Sequence, residues 1–392
     1  MKKTRTLALG ALLVASAPAA RAAVSDIVSA ANAFGFRVLS TEARWAGPAN
    51  LVVSPAATHL ALSMLLPGTK STALTRLDRA IRAPRILDDY AQDMQLLRQQ
   101  LANAAERSNT ELGLFYRLYA DALGFEATPS YSNILSKGWD TDVREVDFRS
   151  AGRGARERIN ADAASADARL GVYLRPGSLA KTDRLVLASG LAFRGIWDEA
   201  FDPKLTRAQA FRLPSGTRKV PLMSRRGDGF DYAETASGRW LRVPYRRGDF
   251  HLVIGLPKKA GASPTPLLKE IPASGLKALA WRGRDVDFRL PRFRLDPPAH
   301  ALGRSLRELG LAPLFRPGRA DFSPLSAGEG LQLSELHQKV FLEFNEAGSA
   351  PPSAKRRKGK GLAFHVDQGF AVFVEHASSG LLMVAGLIRD PR

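Results

Sequence analysis

Apolar positions in the first half of the chain mostly recur every third or fourth residue; in the second half they mostly recur every second. Ala23 to Arg44 has the mixed three-and-four spacing of a helix packed along one side. Thr58 to Leu66, Leu74 to Leu101 and Arg156 to Ala168 read as helices too, the second rich in arginine. Short runs of strand character lie between them. LVVSP (Leu51 to Pro55) is apolar and ends in proline, Leu112 to Tyr119 alternates as LGLFYRLY, and Val143 to Phe148 is a third. Leu185 to Phe193 is almost wholly apolar, as a strand covered on both faces would be. Strands then dominate: Lys219 to Met223, Trp240 to Tyr245, His251 to Leu256, Val286 to Leu290, Val340 to Phe344, Phe370 to His376 and Leu381 to Leu387. One helix, Ala299 to Leu309, interrupts them. With no internal repeat and no linker, the pattern predicts one α+β domain over residues 23–392.

The chain opens differently, as MKKTRTLALGALLVASAPAARA. A basic start, an apolar run from Leu7 to Ala17 and the small-x-small triplet Ala20-Arg21-Ala22 fit a secretory signal peptide over residues 1–22. The run is too short for a membrane anchor, so the expected destination is periplasmic or extracellular. The 392 residues are 45% apolar and 24% charged, an ordinary globular balance. They include no cysteine, which excludes disulfides and a thiol nucleophile. The net charge of +19 falls to 19 − 4 = +15 once Lys2, Lys3, Arg5 and Arg21 leave with the signal. Such a surface favours acidic partners, though arginines spread over a solvated face would give the same figure.

No hydrolase, zinc-protease, phosphate-loop or dinucleotide motif is present, and the six histidines lack the spacing of metal ligands. No enzyme activity and no cofactor are therefore expected. The singular stretch is EAGSAPPSAKRRKGKG, Glu346 to Gly361, set between strand-like HQKVFLEFN and FAVFVEHA. Its basic run has no aromatic interleaving, so nucleic acid is not the expected partner. A double proline followed by Lys355, Arg356, Arg357 and Lys358 makes an exposed target for a trypsin-like protease.

Several segments in order resemble the serpin family. Ser54-Pro55 with the helix after it and PGTKSTA resemble its first strand-to-helix unit. INADAASADARLGVYLRPGSL, LVLASGLAFRGIWDEAFDP, FHLVIGLPK, HQKVFLEFNEAGS and FHVDQGFAVFVEHASSGLLMVAGLI resemble later family segments. The resemblance implies three β-sheets, a large central one with a cap of helices, in a monomer. Leu112 to Tyr119, Leu185 to Phe193 and Val340 to Phe344 would share the central sheet. Glu346 to Gly361 would be the reactive-centre loop, exposed and outside that sheet. The resemblance implies that a serine protease would cleave this loop and be trapped while the loop inserts as a new strand. Glu346, Gly348, Ser349, Pro351 and Pro352 would form the hinge. Trp197 and Arg292 would lie where the loop enters, with an Arg292–Glu346 pair as a latch. His337, Ser54 and Ser189 would make a polar cluster controlling sheet opening. Here the chain departs from the family, with Ala57 in place of a second serine and Ser189 in place of asparagine.

Two readings stay open. One is an inhibitor of trypsin-like or dibasic-cleaving subtilisin-like proteases. The other is a non-inhibitory serpin that binds a polyanion or a protein. Against trapping, two prolines would each delete a ladder bond from an inserted strand, and Lys355 and Arg357 would share its inward face with Ser349. Ten residues from Ser349 to Lys358 give a strand of about 33 Å, shorter than a domain diameter of about 54 Å.

Overall fold

The computed structural model describes residues 17–82, 87–150, 152–272, 274–328, 330–350 and 361–391. Helices lead the chain: α1 (Ala17–Glu42), α2 (Pro55–Ser63), α3 (Ser71–Ile81), α4 (Leu87–Ser108), α5 (Pro129–Trp139) and α6 (Gly152–Ala166). The early strands are β1 (Leu51–Val53), β2 (Glu111–Asp121), β3 (Val143–Val146), β4 (Leu185–Arg194) and β5 (Trp197–Glu199). Then come β6 (Arg207–Leu213), β7 (Gly216–Glu234), β8 (Gly238–Pro244), β9 (Phe250–Pro257), β10 (Arg282–Pro291), β11 (Phe293–Leu295) and β12 (His300–Ala301). A short helix α7 (Gly303–Leu306) precedes β13 (Leu333–Phe344), β14 (Gly348–Ala350), β15 (Leu362–His365), β16 (Phe370–His376) and β17 (Leu382–Ile388).

Two of the predicted helices change. The run expected from Leu74 to Leu101 is split, because Arg82 takes the left-handed conformation (φ 48°) that ends α3, and α4 starts only at Leu87. The helix expected from Ala299 begins instead at Gly303, since His300 and Ala301 pair with Gln338 and His337 as a strand. A π turn over Arg307–Leu311, with Gly310 at φ 99°, closes it.

Among the described residues the central sheet has the order β11-β13-β4-β2-β3, with β12 also on β13. It holds the three runs expected to share a sheet. β2 is antiparallel to β4, while β13 and β4 run parallel in direct contact from Leu333 to Leu342. A nine-stranded sheet, β1-β17-β16-β9-β8-β7-β10-β15 with β6 on β7, packs behind it. Alternation along each strand of the central sheet divides the core in two. Leu336, Val340 and Leu342 face α2 and the second sheet in the larger cluster. Phe341 joins Phe115, Tyr119, Ile159 and Tyr173 under α6 on the other face. Buried side chains of α1 are described from Val24 and Ile27 onward, just past the expected signal cleavage point.

Lys355, Arg356, Arg357 and Lys358, with Pro351 and Pro352, lie outside the described residues. Glu346 to Ala350 are outside the central sheet, as expected, but not without strand pairing: β14 runs parallel to β5, Gly348 beside Trp197 and Ala350 beside Glu199.

Candidate functional site

β13, whose end leads into the expected loop, meets β4 along a parallel seam that is pinned from both faces at one level. On the α2 face the pin is Gln338. Its Oε1 accepts the Ser54 main-chain N–H at 2.8 Å, and its Nε2 lies 2.8 Å from Thr58 Oγ1, 3.2 Å from Ser189 Oγ and 3.2 Å from Ser54 O. All four residues are buried. Ser54 is held there because it caps α2: its Oγ accepts from Ala57 N at 3.0 Å and Pro55 starts the helix. Ala57, where a second hydroxyl was expected, presents only this capped N–H and a buried methyl.

On the α6 face the pin is Tyr173. Its hydroxyl accepts from Ser189 N at 2.8 Å and reaches His337 O at 2.5 Å. A direct Ser189 N–H to His337 C=O bond would run there in an unbroken parallel ladder, so the phenol bridges the two strands at their midpoint. Burial drives this phenol well above its ordinary pKa and keeps it a neutral donor. Two residues beyond His337, the buried Lys339 Nζ reaches Val172 O at 3.0 Å and Asp296 at 2.9 Å, tying β13 to the chain that crosses over it.

His337 does not join Ser54, which corrects the expected cluster. Successive side chains of a strand point to opposite faces, so His337 and Gln338 cannot both face α2. Val340, Leu342 and Phe344 fix the phase of β13, and Gln338 shares it. His337 instead borders a 420 Å³ pocket with Asp183, Ser334 and Glu335. Burial, with His300 beside it, lowers its pKa to about 4. Ser189 does belong to the cluster, through Gln338.

The common end of the two strands is closed by Trp197. Its indole stacks on Tyr245 (centroids 4.4 Å apart), packs edge-on against Phe201 and lies near Phe344. Its Nε1 donates to Asn345 O at 2.7 Å. The chain leaving β13 is held to this aromatic group by its backbone, Trp197 N to Ala347 O at 3.0 Å and Phe201 N to Glu346 O at 3.1 Å. Gly348 has to be glycine: a Cβ there would sit 2.2 Å from Ala200 N. Glu346 Oε1 accepts from Thr206 Oγ1 at 2.8 Å and lies 3.4 Å from Arg292 Nη1. The Arg292 side chain is 53% exposed, so that pair adds at most about 1 kcal/mol. Arg194 bridges Glu111 of β2 and, at 3.9 Å, Glu343 of β13, a second tie across the top.

A family model described as serpin (serine protease inhibitor) matches residues 29–391. The chain belongs to the serpin family. Leukocyte elastase inhibitor A of Rattus norvegicus is 26% identical over 388 residues, covering 94% of this chain and all of the relative. Native protease nexin-1 with heparin superposes with a TM-score of 0.83 at 20% identity, covering 94% of this chain and 100% of that one. An Arabidopsis serpin in its native stressed conformation gives 0.83 at 20% identity, covering 94% and 98%. Serpins are protease inhibitors rather than enzymes, which accords with the missing hydrolase motifs. Sequence reasoning missed Gln338, Thr58 and Tyr173 in this serpin. Gln338 was within reach, since it shares parity with the apolar positions Val340, Leu342 and Phe344. Tyr173 gave no signal, because its role depends on the crossing of a distant segment.

Proposed function

We propose that this serpin inhibits a serine protease, offering Lys355, Arg356, Arg357 and Lys358 as bait to a trypsin-like or dibasic-cleaving subtilisin-like enzyme. The supporting observation is the seam. β13 and β4 are parallel neighbours, and the root of the loop lies at their common end. A chain turning back from β13 would run antiparallel to both, exchanging one parallel ladder for two antiparallel ones, which are slightly more stable per residue. The seam covers Leu333 to Leu342, ten residues, and Ser349 to Lys358 is also ten, about 33 Å in either case. Length therefore suits insertion along the seam better than the domain diameter suggested.

The hinge composition favours a second reading, a non-inhibitory serpin whose basic surface binds a polyanion or a protein. Pro351 and Pro352 lack the N–H groups an inserted strand donates, and Lys355 and Arg357 would face inward. Incubation with trypsin separates the two. An SDS-resistant covalent complex supports inhibition; loop cleavage with full recovery of protease activity supports the second reading. We also propose export, on the basic and apolar leader before Ala22. Mass spectrometry of the exported protein should find an N-terminus near Ala23.

A further inference from the structure

β2 is paired along its full length on one side only. Towards β4 it pairs from Glu111 to Ala120, but towards β3 only from Leu118 to Asp121. The direction of its main-chain groups follows from two bonds. Asp121 N donates to Arg184 O on the β4 side, and Ala122 N to Val146 O on the β3 side. Main-chain groups alternate along a strand, so the odd residues face β4 and the even ones face away. The N–H and C=O of Leu112, Leu114 and Tyr116 therefore point off the open edge. Among the described residues no main-chain partner meets them there.

This edge is not on open surface. It forms the floor of a 1010 Å³ groove walled by α4 and α6, near the upper end of the usual range for ligand sites. The chain leading into β3 does not cover it: Trp139 O is held by Tyr116 Oη at 3.0 Å, and the residues before it turn away into α5. The walls keep space for a strand, with Ala102 and Ala105 on α4 and Ala166 on α6 among the lining residues. Four basic side chains, Arg98, Arg117, Lys137 and Arg144, line the groove against two acids, Asp140 and Asp162. Arg98 and Arg117 pair with those acids at 3.0 and 3.4 Å, and Arg117 and Arg144 also reach Asp142 at 3.3 and 3.2 Å. Lys137 is exposed and has no carboxylate partner among the described residues.

We propose that this groove binds an extended acidic peptide segment of a partner protein, which adds to the free edge of β2 as a further strand of the central sheet. The main chain of Leu112, Leu114 and Tyr116 supplies the affinity common to any extended peptide, and Lys137, together with arginines that share Asp140, Asp142 and Asp162, selects acidic side chains. The proposal is independent of whether the reactive-centre loop traps a protease.

The test uses the full-length protein and a fluorescein-labelled octapeptide of alternating valine and glutamate, followed by anisotropy. Saturable binding is expected. It should weaken at least tenfold in Ala102→Trp, which fills the groove from an exposed helical position, and severalfold in Lys137→Glu. N-methylation of alternate peptide amides should abolish it in one of the two registers. Hydrogen exchange reads the site without any variant: the amides of Leu112, Leu114 and Tyr116 should exchange quickly in the free protein and slow on adding peptide. Slow exchange in the free protein, no binding at millimolar peptide, or binding indifferent to N-methylation and to Ala102→Trp would each overturn the proposal. So would displacement of the peptide by dextran sulfate whose own binding is unaffected by Ala102→Trp, since that would assign the charges to a polyanion.

Discussion

Replacing Gln338 with leucine tests whether the seam is held as described. Leucine approximates the volume, so the change acts mainly on hydrogen bonds. Ser54 N loses its acceptor at 2.8 Å and is left buried without one. Ser54 O remains satisfied by Thr58 N at 2.9 Å and Thr58 Oγ1 at 2.8 Å. Ser189 Oγ keeps only the 3.4 Å approach to His337 O. An orphaned buried N–H costs about 1–3 kcal/mol, and each of the lost bonds from Nε2 to Thr58 and Ser189 about 0.5–1.5 kcal/mol. The added apolar contact of leucine offsets part of this, leaving a loss of about 2–4 kcal/mol. Guanidinium unfolding of both proteins at pH 7.5 reads it as a fall in midpoint with little change in slope. A double-mutant cycle with Thr58→Val adds specificity. Thr58→Val should cost clearly less in the Gln338→Leu background than in the parent, because one of its two partners is already gone. A loss below about 0.5 kcal/mol, or strict additivity of the two changes, would show that Gln338 does not hold the seam.

Trypsin at limiting ratio should nick the chain after Lys355, Arg356, Arg357 or Lys358 before any other site, as mass spectrometry of the fragments would show. If the prolines block insertion, the nicked protein should melt within a few degrees of the intact one; a rise of tens of degrees refutes that reasoning. Stability should also fall in acid. Burial lowers the pKa of His59, His251, His337 and His376 to about 4, below the 6.5 of the unfolded chain. The unfolded state therefore takes up protons first, so stability is at its full value above about pH 6.5 and is lost progressively towards pH 4. The slope is about 1.4 kcal/mol per pH unit for each histidine. Denaturation midpoints that stay constant from pH 7.5 to pH 5 would contradict it. Trp197→Ala should cost about 3–5 kcal/mol by emptying the aromatic group at the top of the seam, whereas Arg292→Ala should cost under about 1 kcal/mol. Thermal melting of the two variants side by side checks the contrast.

The sequence by itself determined most of the elements, the fold class and the family, because these rest on local periodicity and on the order of many segments. LGLFYRLY and LVLASGLAF read as strands, and both lie in the central sheet. It also located the chain leaving β13, where Glu346 and Arg292 do meet. It did not settle which of two adjacent residues, His337 or Gln338, faces Ser54, because one step along a strand reverses the face and no local preference fixes that phase. Leu74 to Leu101 read as one helix because its apolar spacing continues through a break made by the backbone at Arg82. The rest was decided by contacts between residues far apart in the chain. Tyr173 bridges β4 and β13 because the chain after α6 crosses the sheet there, and the β2 edge stays open because α5 carries the chain away before β3 begins. Gly348 pairs with Trp197 because the top of the sheet sets the two segments side by side. Periodicity records how each segment is buried, whereas strand order and register follow from which buried faces fit together, and that fit exists only once the chain has folded.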